Sequence, residues 1–350
     1  MFAAMSAASH DTPSHWTKIR YQARHRGLAL ALNIGVNLWH QLLAPKTPLP
    51  TKSEVQATRA RFERMLRRDI RNVENGVYPA DLLHQFPLTH YASFFPTALQ
   101  ELLRVYLRKR ARVSRDVPVD EGDWDYPRYY LQNFHWQTDG WLSDRSAALY
   151  DVGVEFLFMG SADIMRRMAL KPLIEGLEGH PRNARILDIA CGTGRFLAQI
   201  RQALPRARLI GLDLSPHYLE HAVGLLGKDP FSQFIQANAE KIPLENASID
   251  AVTSVYLFHE LPSDARRNVM KEAFRVLKPG GSFTVCDSAQ LEGNEDIQAA
   301  LQRFPAMYHE PFFKGYLRDD LADLFENAGF QSIHSETHLV SRVLTGLKEA

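Results

Sequence analysis

Residues 186–198 read ILDIACGTGRFLA. An apolar run carries Asp188, breaks on Gly192 and Gly194, and resumes at Arg195 with the spacing of a helix. Two glycines one residue apart let a backbone turn sharply and come close to a ligand. A dinucleotide fingerprint would need a third glycine, and position 197 is Leu. A phosphate loop would need a Lys-Ser or Lys-Thr pair after its glycines, and none follows. What remains is an acid, a tight turn, and Asp213 at the end of the next apolar run, ARLIGLD (207–213). That aspartate can accept hydrogen bonds from both hydroxyls of a ribose. It can equally cap a helix, in competition with Ser215 before Pro216.

The pattern around the turn is regular. Strand-like runs at 184–190, 207–213, 231–238, 248–256 and 282–288 alternate with helical ones at 195–204, 216–226 and 264–277. Apolar strands separated by amphipathic helices predict a parallel sheet covered on both faces. Ligands of such sheets sit beyond the strand C-termini where the strand order reverses, and 190–194 ends the first of these strands.

In these ordered motifs the chain resembles the class I S-adenosylmethionine-dependent methyltransferases, in the group that includes the quinone methyltransferases. The resemblance spans roughly 180–345. ILDIACGTGRFL is similar to the family's first motif, IGLDLS to its second, and QANAEKIPLENASIDAV to its third. SVYLFHELP lies where the fourth strand ends over the cofactor, and RVLKPGGSF matches the turn before strand five. The implied fold is α/β: a Rossmann-like seven-stranded sheet in 161–350, preceded by a mostly helical substrate or lid domain in 1–160. The implied cofactor is S-adenosylmethionine, with S-adenosylhomocysteine as product. Asp188 and the turn Ala190, Cys191, Gly192, Thr193 and Gly194 would meet its methionyl end. Asp213, with Leu214 beside it, would hold the ribose. Asn238, Ala239 and Glu240 would border the adenine, and Tyr256 would complete the set. The family usually has aspartate where this chain has Asn238, whose amide oxygen still accepts a hydrogen bond.

SAALYDVGVEFLFMGSADIMRRMAL (146–170) is similar to the lead-in of the quinone methyltransferases. On that resemblance Tyr150 borders the transferred methyl group, and its alternative is an aromatic packed between helices. Transfer needs in-line alignment and exclusion of water, and a general base only where the acceptor is protonated. His259, just past the fourth strand, is the candidate base. Glu260 would orient it or take the proton itself, although the pair could merely close the loop. His135, Asp139 and EPFFKGY (310–316) are further candidates for the pocket wall.

The remaining sequence bounds the partners. Residues 1–120 carry 18 Lys+Arg against 9 Asp+Glu, and the other 230 carry 23 against 31. A basic first third can attract phosphates, anionic lipid or the acidic remainder of its own chain, the last needing no ligand. In 97–113, Leu99, Leu102, Leu103, Tyr106 and Leu107 are expected on the inner side of a helix whose outer face is RKRARVSR. No base-stacking aromatics interleave with that run, so nucleic acid is not an expected partner. The basic KIRYQARHR (18–26) precedes the apolar LALALNIGVNLWHQLL (28–43), which is short of a membrane span. It reads as a helix packed on the rest of the chain, an interfacial membrane helix, or part of a targeting segment. MFAAMSAASHDTPSHW at the start has no hydrophobic signal core. Residues 116–142, with three tryptophans and four other aromatics, read as a packed cover or pocket wall. Only two cysteines are present, Cys191 and Cys286, and the fourteen histidines are scattered. No disulfide framework and no metal are expected, in a cytoplasmic, reducing setting that allows peripheral contact with a membrane. The expected partner is a small-molecule methyl acceptor. The rival readings are a binding module that transfers nothing and a nicotinamide oxidoreductase.

Overall fold

The computed structural model describes residues 12–44, 46–84, 88–118, 125–180 and 182–349. Residues 1–11 of the N-terminal reading and 119–124 of the aromatic stretch lie outside it. Seven strands form one sheet: β1 (Arg185–Ile189), β2 (Arg208–Asp213), β3 (Ser232–Gln236), β4 (Ile249–Val255), β5 (Leu277–Ser288), β6 (Gln331–His338) and β7 (Ser341–Leu347). Their order is β3-β2-β1-β4-β5-β7-β6. The first five run parallel, and β7 enters antiparallel between β5 and β6. The order reverses between β1 and β4, so a crevice opens beyond their C-terminal ends.

Alternation along the strands loads both faces. Ile186, Leu209 and Ala251 pack on one side, Leu187, Ile210 and Val252 on the other. The second side is covered by α10 (Ser263–Val276) and α13 (Leu321–Ala328) through Val269, Met270, Ala273 and Phe325. The first is covered by α7 (Leu170–Glu175), α8 (Arg195–Ala203) and α9 (Pro216–Leu226). Residues of α1 (His15–Leu43) and α2 (Lys52–Glu74) join that same cluster: Tyr21, Met65, Leu66 and Ile70. Helix α2 starts on a capping box between Thr51 and Glu54, which directly follows the proline-rich break.

The segment 81–175 carries α3 (Asp81–His84), α4 (Leu88–Ala111), α5 (Asp144–Leu157) and α6 (Ala162–Arg167) before α7. The inner side expected for α4 holds in part: Leu102 and Tyr106 are half-buried against the cluster of Trp39, Leu43 and Val105, and the other three leucines are not. Leu99, Leu103 and Leu107 are 58%, 60% and 54% exposed, while Glu101 and Val105 are buried. Glu101 is held inside by the N–H of Thr138 at 2.7 Å and by an ion pair with Arg145. A buried carboxylate held by one hydrogen bond and one ion pair takes the inner face in place of those leucines, which no apolar periodicity could reveal. Helix α1 buries Tyr21, Val36, Trp39 and Leu43 and exposes Leu30, Ile34, Leu38 and Leu42 at 50–72%. Arginines of the basic first third reach acids of the later chain, as in Arg61–Asp296 and Arg68–Glu336. No helix among the described residues is long and apolar enough to cross a membrane. The last elements are α11 (Gln298–Met307) and α12 (Phe313–Tyr316).

Candidate active site

The turn after β1 has three left-handed residues in five: Ala190 (φ 54°), Gly192 (φ 54°) and Gly194 (φ 80°). Such alternation holds a tight loop open beyond the C-terminal end of β1, at a strain cost for the non-glycine residue. The backbone N–H of Gly192 donates to Asp213 Oδ2 and that of Ser215 to Oδ1, both at 2.8 Å. Each carboxylate oxygen keeps a second lone pair. Ser215, with its hydroxyl accepting from the N–H of Tyr218, caps α9. Asp213 therefore stays free of the helix-cap role and stands at the cavity. Burial pushes its carboxyl up to about 6, against the pull of the amides donating to it. Burial likewise pushes Asp188 up to about 7, although the Thr253 hydroxyl donates to it at 2.7 Å.

A cavity opens over these residues, with about 1080 Å³ of empty space that extends out into open solvent. Of the expected cofactor set, Asp188, Ala190, Cys191, Gly192, Thr193, Asp213, Leu214, Asn238, Ala239 and Tyr256 line it, as do Tyr150 and Glu260. Gly194, Glu240 and His259 are not among the lining residues. Gly194 is the N-cap of α8, and a Cβ there would lie 3.0 Å from the Ala222 Cβ. Glu240 accepts from the Tyr129 hydroxyl at 2.6 Å and from the Asn268 amide at 2.8 Å. It thereby ties the third strand's loop to the roof. That roof comes from the aromatic stretch: Tyr129, Tyr130 and Trp141 line the cavity, and Trp141 stacks on Phe134 at 4.1 Å. The reading of 116–142 as a pocket wall matches this geometry over the described residues.

Helix α5 closes the near side. Asp151 accepts from the Thr193 hydroxyl at 2.8 Å and pairs with Arg166 at 3.7 Å. Arg166 also pairs with Asp163, which in turn holds Arg195. The lead-in is thus clamped to the glycine turn by charge. The Tyr150 ring meets Tyr218 edge-on at 5.5 Å, so it packs between helices and faces the cavity at once. Arg166 lies 5.6 Å from the Tyr256 ring centre, and the buried Tyr256 hydroxyl has no hydrogen-bond partner.

The far side holds the candidate base. Asp287, at the end of β5, accepts from His259 Nδ1 at 2.6 Å and from the N–H of Phe258 at 2.7 Å. This residue was missed in the sequence because it lies 28 positions away, inside an apolar run. Burial works against the His259 cation, but the charge of Asp287 raises the imidazole above its ordinary value. His259 Nε2 stands 3.5 Å from Glu260 Oε1. Glu260 Oε1 also lies 2.9 Å from His135 Nε2. Burial opposes the Glu260 charge, yet the His135 hydrogen bond and the neighbouring imidazoles hold its carboxyl low. Of the candidate wall residues, Asp139 accepts from the Ser143 hydroxyl at 3.1 Å and does not line the cavity.

The chain is similar to known methyltransferases. The family described as a methyltransferase domain matches residues 186–281. The ubiquinone/menaquinone biosynthesis C-methyltransferase of Syntrophotalea carbinolica is 32% identical over 182 residues, covering 52% of this chain and 73% of that protein. Its counterpart in Desulfotalea psychrophila is 27% identical over 221 residues, covering 58% of this chain and 86% of that one. Among solved structures, an S-adenosylmethionine-dependent methyltransferase of Aquifex aeolicus is 19% identical at a TM-score of 0.37, covering 52% and 92% of the two chains.

Proposed function

The chain belongs to the class I S-adenosylmethionine-dependent methyltransferases, and from that premise we propose that it methylates a hydroxylated aromatic acceptor held beneath its aromatic roof. The observation that carries this reading is the wall itself: Tyr129, Tyr130, Trp141, Tyr150 and Tyr256 face the same cavity as Asp213 and Glu260. The names of the relatives point the same way, toward quinone-like rings. The donor set fits the cofactor. Asp213 keeps lone pairs for two ribose hydroxyls, Asn238 offers an amide at the next strand end, and the buried Tyr256 hydroxyl lacks a partner. The cofactor supplies a methyl group already activated on a sulfonium.

The chain's own residues then orient, shield and take a proton. Tyr129, Tyr130 and Trp141 cover the acceptor ring and exclude water. Glu260 lines the cavity in its charged form, so its carboxylate can accept the hydrogen bond of the acceptor's hydroxyl and draw its proton. His259, oriented by Asp287, stands behind Glu260 and stabilises that carboxylate. His259 is thus a positioning residue in this reading, and Glu260 the group that touches substrate.

Calorimetric titration with S-adenosylmethionine, S-adenosylhomocysteine and NAD tests the premise of cofactor use. The sulfur nucleosides are expected to bind and NAD is not. Asp213→Ala should weaken the nucleoside by about 1–3 kcal/mol, roughly 5- to 150-fold. Unchanged affinity would remove the ribose assignment. The same titration has a pH signature. Ribose hydroxyls would donate to an ionised Asp213 and the methionyl end would meet an ionised Asp188, and these carboxyls are raised to about 6 and about 7. Both take up protons as pH falls through those values, so affinity should drop below about pH 7 and steepen below about pH 6. Asp213→Asn should lose the lower break.

The same proposal includes contact with a lipid surface, where an acceptor with an apolar tail would reside. Leu30, Ile34, Leu38 and Leu42 stand exposed along α1, within a first third of net positive charge. Vesicles containing anionic lipid should carry the protein upward in a flotation gradient. Leu30→Asp with Ile34→Asp, which leaves the packed side of α1 intact, should abolish this. Equal flotation of that variant would defeat the membrane reading.

A further inference from the structure

Three segments far apart in sequence bring metal-ligand side chains to one point. His135 sits in the 3₁₀ turn Phe134–Trp136, Glu260 in the turn Phe258–Glu260, and Glu310 just after α11. One donor atom from each lies within 4.8 Å of the others. His135 Nε2 is 2.9 Å from Glu260 Oε1 and 3.3 Å from Glu310 Oε1. Donor atoms about 2.1 Å from one ion stand about 3.0 Å apart at a right angle and about 3.4 Å apart at a tetrahedral one. The 2.9 Å hydrogen bond from His135 to Glu260 and the 3.3 Å contact to Glu310 are also the spacings of ligands sharing an ion.

The second observation is the state of the carboxylates. The Glu310 side chain is fully buried, its polar neighbours are His135 and the Glu260 carboxylate, and among the described residues no donor from outside this cluster bonds to either of its oxygens. Glu260 Oε2 is buried too, with no donor from outside the cluster. Two buried carboxylates packed together need positive charge between them, a shared proton or a cation, since a buried unpaired charge is costly. The backbone is also set for the arrangement. His135 and Trp136 both adopt left-handed conformations, at φ 55° and 62°. The His135 N–H donates to the His309 carbonyl at 3.0 Å, binding the two ligand-bearing loops together. Strain at a histidine beside two buried glutamates is what a built site stores.

We infer that His135, Glu260 and Glu310 hold a divalent first-row cation at the edge of the cavity. One nitrogen and two carboxylates suit Mn²⁺, Fe²⁺, Co²⁺ or Zn²⁺ and leave coordination positions open. Because Glu260 lines the cavity, an ion bonded to it is within reach of the acceptor. There the ion polarises an acceptor hydroxyl and favours its ionised form, which the carboxylate alone would do less well. This role rests on the methyl-transfer reading; the ion site itself does not.

The test is direct binding to the full chain after removal of divalent ions with a chelator. Co²⁺ should bind with one ion per chain and develop visible ligand-field absorption. Glu310→Gln, which keeps shape and loses charge, should weaken Co²⁺ by at least about tenfold. Its affinity for S-adenosylmethionine should stay within about twofold, because Glu310 does not line the cofactor cavity. Should Glu310→Gln fail to fold, His135→Asn replaces it, since Asn tolerates a left-handed backbone. No saturable Co²⁺ binding by the native chain, or binding equal in the variant, overturns the site. Cofactor titration on the same preparation separates that failure from a failure of the methyltransferase reading.

Discussion

Asp69→Ala should destabilise the folded chain by about 3–5 kcal/mol, the cost of removing one partner from a buried ion pair. Asp69 on α2 is fully buried, and Arg167 on α6 is 2% exposed. Arg167 Nη2 donates to Asp69 Oδ2 at 2.5 Å, and the hydroxyls of Tyr21 and Tyr78 donate to the same carboxylate. One carboxylate therefore joins α1, α2, α6 and the loop after α2. Without it, a guanidinium and two phenols are left inside an apolar cluster with no acceptor. Denaturant unfolding of the purified protein measures the loss, and a change below about 1 kcal/mol would contradict the account. A control follows from the same physics. Asp69→Leu with Arg167→Met removes both charges and should cost less than Asp69→Ala alone. The pH dependence has a definite sign. Burial opposes the Asp69 charge, but the Arg167 charge and the hydrogen bonds from Arg167, Tyr21 and Tyr78 hold its carboxyl below the usual range. Its contribution is complete above the ordinary carboxylate pKa and is lost as pH falls through the lower folded value.

Gly194→Val should cost about 2–5 kcal/mol and weaken the cofactor by at least about tenfold. Gly194 has φ 80°, where a β-branched residue is strained. Its Cβ would stand 3.0 Å from the Ala222 Cβ and 3.2 Å from the Ala222 Cα, and a backbone atom cannot rotate away. Helix α8 would have to shift from α9, and the turn that carries Gly192 would shift with it. Gly192 offers a contrast. A Cβ there would meet only the Tyr218 ring at 3.9 Å, so Gly192→Ala should lose little stability beyond backbone strain. Thermal melts and calorimetric titration of the two variants decide it. A Gly194→Val protein with native melting and native cofactor affinity would falsify the packing argument.

The two glycines also show how far sequence reading reaches. The sequence places both in a ligand turn, yet of the two only Gly192 lines the cavity. Gly194 serves the packing of two helices, a role set by Ala222 lying 28 residues away. The expected strands at 184–190, 207–213, 231–238 and 248–256 correspond to β1 to β4 within a residue or two at each end. Strand β5 starts earlier than read, because Leu277 pairs with Ile249 ahead of a register shift. The misread face of α4 has the opposite cause. Glu101 is buried because Thr138 and Arg145 reach it, and those partners are 37 and 44 positions distant.

Local sequence determined the sheet, the glycine turn and the acids at the strand ends, because periodicity, turn chemistry and capping act between residues close in the chain. It thereby determined the methyl donor's class. Tertiary structure alone decided what surrounds the acceptor. Asp287 reaches His259 across two strand ends, and His135, Glu260 and Glu310 meet from loops 125 and 50 residues apart. Such juxtapositions arise from burial of charge and from crossover topology, which depend on the whole fold and leave no periodic trace in any one segment.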